Sequence, residues 1–569
     1  GGSLPGGTVV IPAGEASAEI TVIPAQDGSW EGHESFTLQL TGATGATLGA
    51  PTAYGTVLND DLPVAEPAFS IAALTPESAT EGVLRGYVVT RSGDLSGTSQ
   101  VDWAVAGAVD AADFDGELPG GTLTFLPGEQ IKTLTLTPRQ DVTVEADEAL
   151  TVTLANPVDA AIDPLAGSVA QTLTTDDFPP GLTRQEASDQ RVSSWLSGDQ
   201  TSPSVALLEG GGYVVVWRSQ GQDGSGWGVY GQRFDAEGGR VGGEFAVNST
   251  TASDQSAPAV AGLTGGGFVV AWHSDQEGTG GYGIYAQRYD AAGVEVGDEL
   301  HINTTTAYEQ SYAAVSGLND GGFQVLWRSL YQDGSGWGIY GQRLDAAGTP
   351  VGGEFRVNVE TDYDQREPQI GLFDDGSSVV VWHSRYQDGD NWGIYARRYG
   401  ADGTAEGTES QVNSTIAGEQ SNPSVAVLAD GGFVVAWQST NQDGDDTGIY
   451  GQRYAADGSA LGDEFAVNTT TADHQRGASV AALADGGYVV AWQSYGQDGS
   501  YEGVYAQRYA ADGSAFGGEF QINLSTHDDQ EAPAVLGVGD GMLAVWQSPD
   551  DGNGSLGIYQ QLYLLNNTS

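Results

Sequence analysis

The chain has no cysteine, one methionine (Met542), one lysine (Lys132) and only 20 Lys+Arg against 76 Asp+Glu. Without cysteine there is no thiol catalysis, no Cys-ligated zinc and no disulfide staple. The formal charge of −56 repels nucleic acid and anionic lipid, so neither is an expected partner, and it favours cations. No apolar run approaches the ~18 residues that a membrane-spanning helix needs, so no membrane insertion is expected of this stretch. Nucleotide-binding and protease motifs such as GxSxG, HExxH and the P-loop are missing, and the six histidines are scattered. No enzyme activity is expected.

What is present is repetition. Seven tryptophans (Trp217, Trp272, Trp327, Trp382, Trp437, Trp492, Trp546) recur every 55 residues, the last after 54. Gln200 begins a second series at the same period and Tyr230 a third. Each unit reads as four short strands, as in EFAVNSTT, APAVAGL, FVVAWHS and YGIYAQRYD from Glu244 onward. Seven units of four strands predict an all-β fold containing a seven-bladed β-propeller over 187–565. The last unit lacks its outer strand. Val192 and Ser193 stand 55 residues before Val247 and Asn248, so a strand there is expected to complete the last blade. The tryptophan and tyrosine series read as blade packing. The Asn-x-Ser/Thr triplets at Asn248, Asn303, Asn413, Asn468 and Asn523 recur at the repeat period and read as turn chemistry.

In an antiparallel meander the Gln-Asp-Gly loops and the loops holding Asp254-Gln255 fall on one side. There the repeats differ from one another. One variable position carries Trp227, Tyr282, Trp337, Trp392, Thr447, Glu502 and Leu556; another carries Arg218, His273, Arg328, His383, Gln438, Gln493 and Gln547. Aromatics beside Arg or His, with the loop acids Asp223, Asp333 and Asp388, suit a sugar ring: its apolar face on the aromatic, its hydroxyls on the polar groups. The expected ligand is an extracellular glycan or surface polymer, held by blades one to four.

A different duplication precedes the propeller. LPGGTVVIPAGE from Leu4 matches LPGGTLTFLPGE from Leu118, and Asp27, Glu31 and Glu34 match Asp141, Glu145 and Glu148. The copies end in Asp60-Asp61 and Asp176-Asp177. Residues 63–178 have the size of one β-sandwich and residues 1–62 match its second half, with Phe178-Pro179-Pro180-Gly181 as the hinge beyond. Carboxylates gathered at one end of a sandwich suit Ca²⁺, which takes six to eight oxygens.

Both copies resemble Calx-β domains, on Glu81-Gly82, Val88 to Asp94, the GGTLTFLPGE run and the acidic cluster. The resemblance implies an immunoglobulin-like sandwich that binds Ca²⁺ at one tip. Its matched ligands are Glu81, Asp113, Asp141, Glu145, Glu148, Asp176 and Asp177, with Asp27, Glu31, Glu34, Asp60 and Asp61 in the first copy. Gln140 and Phe178 replace acids common in that family, which implies fewer or weaker ions. The layout resembles large bacterial RTX-type surface adhesins, implying an extracellular or cell-surface adhesin. Self-association through the half-domain, a structural role in a surface layer or fibre, and action on polysaccharides are the other readings.

Overall fold

Alternating β-branched and aromatic residues, broken by Gly-Asp turns, leave no amphipathic helical stretch, and the chain folds almost wholly as strands. The computed structural model describes residues 6–23, 32–58, 66–75, 78–80, 84–109, 111–114, 116–139, 148–174, 182–186, 188–276, 281–549 and 554–565. Among them the one helical element is a 3₁₀ turn, Ala112–Phe114, and no helix is long and apolar enough to cross a membrane. The chain divides into two compact units, one before Asp177 and one that runs from Asp177 to Ser569.

In the first unit two sheets enclose one core. One orders Ala161–Ile162, Ala68–Ala73, Arg85–Ser92 and Ile131–Leu136; the other orders Ser78–Thr80, Ser168–Thr174, Glu148–Val158, Ser99–Gly107 and Gly120–Phe125. Phe69, Tyr87, Val89, Val101, Phe125, Leu150 and Val152 are wholly buried between them. Arg91 is also fully buried, and its guanidinium donates to the carbonyls of Glu129, Gly97 and Leu126 and to the Ser99 hydroxyl. The duplicated segment before it forms a hairpin, Glu34–Gln39 with Thr52–Val57. Its apolar residues stay in solvent: Val10 is 72% and Tyr54 83% exposed.

The second unit is a succession of seven antiparallel sheets. Sheet one orders Gln200–Leu207, Tyr213–Gln220, Trp227–Phe234 and Arg240–Ala246 from first strand to fourth, and the next five repeat this order. Sheet three begins at Gln310 and sheet four at Gln365. Sheet seven takes Glu531–Val538, Gly541–Pro549 and Leu556–Leu565 from the end of the chain. Its outer edge comes from the start of the unit, where Leu182–Arg184 and Gln190–Arg191 pair with the last strand. The Ile558 N–H donates to the Ser193 hydroxyl, in the place where Asn248 accepts from Val229. The expected completion by Val192 and Ser193 is therefore present.

Three sets of contacts bind each sheet to the next. All seven tryptophans of the series are fully buried between sheets, so truncating one to alanine costs about 3–5 kcal/mol. At the Gln-Arg step of the third strand, Arg288, Arg343 and Arg398 donate to the carbonyls of Ala346, Ala401 and Ala456 in the hairpin of the next sheet. On the other side, Glu299, Glu409 and Glu464 accept the N–H groups of Ser249, Val359 and Ser414 in the preceding sheet. Sheet one packs on sheet seven in the same manner. Tyr213 and Trp217 share a core with Leu543 and Val545, and the Tyr213 hydroxyl donates to Gln560 at 3.2 Å.

The Asn-x-Ser/Thr asparagines and the glutamine series belong to this frame. Asn413 is buried; its Oδ1 accepts from Ile394 N–H at 2.7 Å, and its amide donates to the Thr415 carbonyl and to Gln420 Oε1.

Candidate functional site

The two loop types expected on one side do meet there. The carboxylates of Asp254 and Asp364 cross from the loop before the next sheet's first strand and accept the N–H of Trp227 and Trp337, each at 3.0 Å. Inside the Gln-Asp-Gly loops, Asp223, Asp333 and Asp388 accept from the N–H of Ser225, Ser335 and Asp390, so each closes its own turn. Burial raises the Asp333 carboxyl above its ordinary range, against the opposing pull of the Ser335 N–H. The adjacent glutamines are tied as well, Gln332 to Glu354 and Gln387 to Glu409.

The position after the series tryptophan serves the junction between sheets. In each sheet the residue two places after the series glutamine is bulged, with positive φ at Ser202, Ala257, Tyr312, Glu367, Asn422, Gly477 and Ala532. His273 Nδ1 accepts the N–H of Tyr312 at 3.4 Å and His383 Nδ1 that of Asn422 at 3.1 Å. Gln438, Gln493 and Gln547 accept the corresponding N–H groups of Gly477, Ala532 and Ser202. Both histidines are buried, and burial, helped by nearby arginines, lowers their pKa to about 3. They are neutral acceptors inside the frame rather than donors on the surface. Arg218 and Arg328 cannot accept. Arg218 donates to the Thr201 hydroxyl, while Arg328 pairs with the bulge residue itself, Glu367, at 2.9 Å.

The aromatics Trp227, Tyr282, Trp337 and Trp392 are half-buried. Tyr282 and Trp392 meet the histidine rings edge-on, at 4.7 and 4.5 Å. In sheets three and four the arrangement extends into a ladder of alternating rings and guanidinium groups. Arg328 lies 4.0 Å from the Tyr312 ring and 4.5 Å from Trp337. Arg366 lies 5.9 Å from Trp337 and 5.5 Å from Trp392. Arg385 lies 5.8 Å from Trp392 and 4.8 Å from Tyr386. Tyr363 closes the row, edge-on to Tyr386 at 5.0 Å. Each such contact contributes about 0.5–1 kcal/mol at an exposed site. At the matching place sheet one has the pair Arg218 on Trp227, at 4.4 Å. Sheet six puts Glu502 at the ring position, where it binds Arg476 and His474 instead.

Tyr308, Tyr312, Tyr331, Tyr363 and Tyr386 are exposed and all have φ between 55° and 64°. That region costs a bulky side chain about 1–2 kcal/mol. Sister repeats put cheaper residues at the same places: Gly198, Ser253 and Asp473 match Tyr308 and Tyr363, while Gly221, Asn441 and Gly496 match Tyr331 and Tyr386. Sequence reasoning compared two variable positions and missed these tyrosines together with Arg366, Arg385 and Glu367. Within the expected blades one to four, sheets three and four stand out.

Of the carboxylates expected to hold Ca²⁺, Glu81, Asp141, Glu145, Asp176, Asp177, Asp27, Glu31, Asp60 and Asp61 lie outside the described residues, as does the hinge Phe178 to Gly181. Glu34 is exposed at the head of its hairpin. Asp113 is buried and its main-chain carbonyl accepts the Arg139 N–H at 2.7 Å. Strand register brings the flanks of the second copy's acids to one end: Thr80 is opposite Thr174, Leu173 opposite Glu148 and Gly107 opposite Leu150. Asp113 and Glu148 thus belong to the same end of the sandwich. Among the described residues no three His, Cys, Asp or Glu form a metal-binding group.

Adhesion G-protein coupled receptor V1 of Danio rerio is 29% identical over 229 residues, 37% of this chain. The chain spans only 4% of that relative's length. Of solved structures, a protein of unknown function from Dyadobacter fermentans is similar over 68% of this chain and 100% of its own, with 12% identity and a TM-score of 0.44. An endo-arabinase from Bacteroides thetaiotaomicron is similar over 46% of this chain and 96% of its own, with 16% identity and a TM-score of 0.31. Within the first unit, residues 74–177 match the family model of the Calx-beta domain.

Proposed function

We propose that the seven sheets are the blades of a closed β-propeller, and that its loop side binds carbohydrate for an adhesin at a cell surface or in the extracellular space. The ladder of sheets three and four is the observation that carries this reading. Half-buried rings with polar groups between them suit a pyranose, whose C–H face packs on an aromatic while its hydroxyls find donors and acceptors. Sheet-to-sheet contacts hold the ladder, so little ordering is left for binding to bring about. The Calx-beta match and the 29% identity to an adhesion receptor fit a role in attachment.

The sandwich is the Ca²⁺-binding part of this reading. One end carries Asp113 in its 3₁₀ turn and Glu148 at the head of a strand, and hard carboxylate oxygens are the donors Ca²⁺ takes. The ion would stiffen the sandwich and take no part in holding the glycan. The chain is read as a binder rather than an enzyme: near the ladder, Glu367 and Asp364 are held by Arg328 and Arg366 at 2.9 and 2.7 Å. The exposed apolar residues of the first hairpin suit pairing with a second copy.

The test is a glycan array probed with the intact chain in Ca²⁺. Saturable binding to a defined set of glycans supports the reading, and a folded chain that binds none refutes it.

A further inference from the structure

We propose that the ladder is built for a glycan bearing isolated carboxylates, with Arg385 as the residue that receives the acid group. The inference rests on the carbohydrate reading above and adds the class of sugar. Three arginines stand in this one sector of a chain that has only 20 basic residues. Two are already neutralised, Arg328 by Glu367 and Arg366 by Asp364. Arg385 is different. Among the described residues no carboxylate pairs with it, and its one hydrogen bond runs from Nη2 to the Tyr386 hydroxyl at 3.2 Å.

Its surroundings complete a subsite. Trp392 and Tyr386 flank the Arg385 guanidinium, and Tyr363 stands edge-on to Tyr386. A guanidinium held between rings offers a carboxylate two parallel N–H donors, and the rings beside it offer a sugar its platform. At the Arg385 position the other repeats carry Gln220, Asp275, Leu330, Thr440, Tyr495 and Pro549, none of them basic. Repeat packing therefore does not ask for this arginine. Nor does it ask for Tyr363 and Tyr386, which hold a costly backbone conformation where the repeats outside sheets three and four use Gly, Asn, Asp, Ser or Gln. The same sector thus departs from the repeat twice, once in charge and once in backbone conformation, and both departures face one place.

The overall charge sets the limit on the ligand. A chain at −56 repels a continuous polyanion, while at physiological salt fields fade over about 8 Å, so a single acid group answers to the local guanidinium. A chain-terminal or widely spaced uronate or sialate meets both conditions.

The experiment is an array of matched pairs probed with the full chain in Ca²⁺: uronate- and sialate-bearing oligosaccharides, their carboxyl-reduced forms, and polygalacturonate as the continuous polyanion. The expected result is binding to the acidic members, about tenfold weaker binding to their reduced forms, and weaker binding to polygalacturonate. Arg385→Thr and Tyr386→Gly restore residue types found in sister repeats and so keep the fold. Arg385→Thr should abolish the preference for the acidic partner, and Tyr386→Gly should weaken both partners alike. Equal binding to acidic and reduced forms overturns the inference and leaves the carbohydrate reading standing. Preference unchanged in Arg385→Thr overturns the assignment of Arg385. Binding to nothing on the array overturns the carbohydrate reading and this inference together.

Discussion

His383 Nδ1 accepts the N–H of Asn422 at 3.1 Å, across the junction between two neighbouring sheets. His273 does the same for Tyr312, and in sheets five to seven glutamine takes over the role. The position therefore varies among residues that can accept a bulged N–H from the next sheet, with Arg218 and Arg328 as the exceptions.

Acid sensitivity follows. In the folded chain both histidines have a pKa of about 3, against ~6.5 unfolded. Between those values the unfolded chain binds more protons, so stability falls as pH drops from about 7 toward 3. The double variant His273→Gln, His383→Gln keeps the acceptors and removes the titration. Denaturant unfolding at pH 7 and at pH 4 should show a smaller loss in the variant than in the parent chain.

Asn413 shows what the apparent glycosylation triplets do. Asn413→Ala leaves the Ile394 N–H and Gln420 Oε1 buried without the partners they now have. The expected cost is about 2–4 kcal/mol of stability, read as a lower denaturant midpoint with an unchanged slope. A shift within error would contradict the role given to this residue.

The exposed tyrosines give a prediction of the opposite kind. Tyr331→Gly relieves the left-handed strain but adds freedom to the unfolded chain. Stability should stay within about 1 kcal/mol of the parent, as measured by denaturant unfolding. A large loss would show that Tyr331 packs for the fold.

Calcium should act on the sandwich. A ligand at one hundred times its Kd adds about 2.7 kcal/mol to the state that binds it. Calorimetry of the full chain with Ca²⁺ and with chelator should move one transition and leave that of the seven-sheet unit in place. Asp113→Ala should reduce that movement.

Much of the fold is legible because a 55-residue ruler leaves little freedom. The tryptophan, glutamine and tyrosine series mark the same strands in every repeat, and the offset from Val192 to Val247 exposes the strand that completes sheet seven. The site is less legible, for physical reasons. A histidine beside an aromatic reads as a surface donor until the next sheet supplies the N–H that it accepts. The Arg385–Tyr386 corner needs both the backbone angle of Tyr386 and the register that sets Arg385 opposite Trp392. The signal for the tyrosines was nevertheless present. Tyr308 and Tyr363, like Tyr331 and Tyr386, are 55 residues apart and replace Gly, Asn, Asp, Ser or Gln of their sisters.

The most direct test of the central claim is the Kd of the intact chain for its strongest array ligand, compared with that of Trp337→Thr, Trp392→Thr. Sheet five already carries threonine at this position, as Thr447, so the double variant should fold. The account predicts that affinity falls at least about a hundredfold while the variant still unfolds cooperatively, with a stability loss no larger than the about 2–4 kcal/mol of its four missing ring–guanidinium contacts. An unchanged Kd would contradict it.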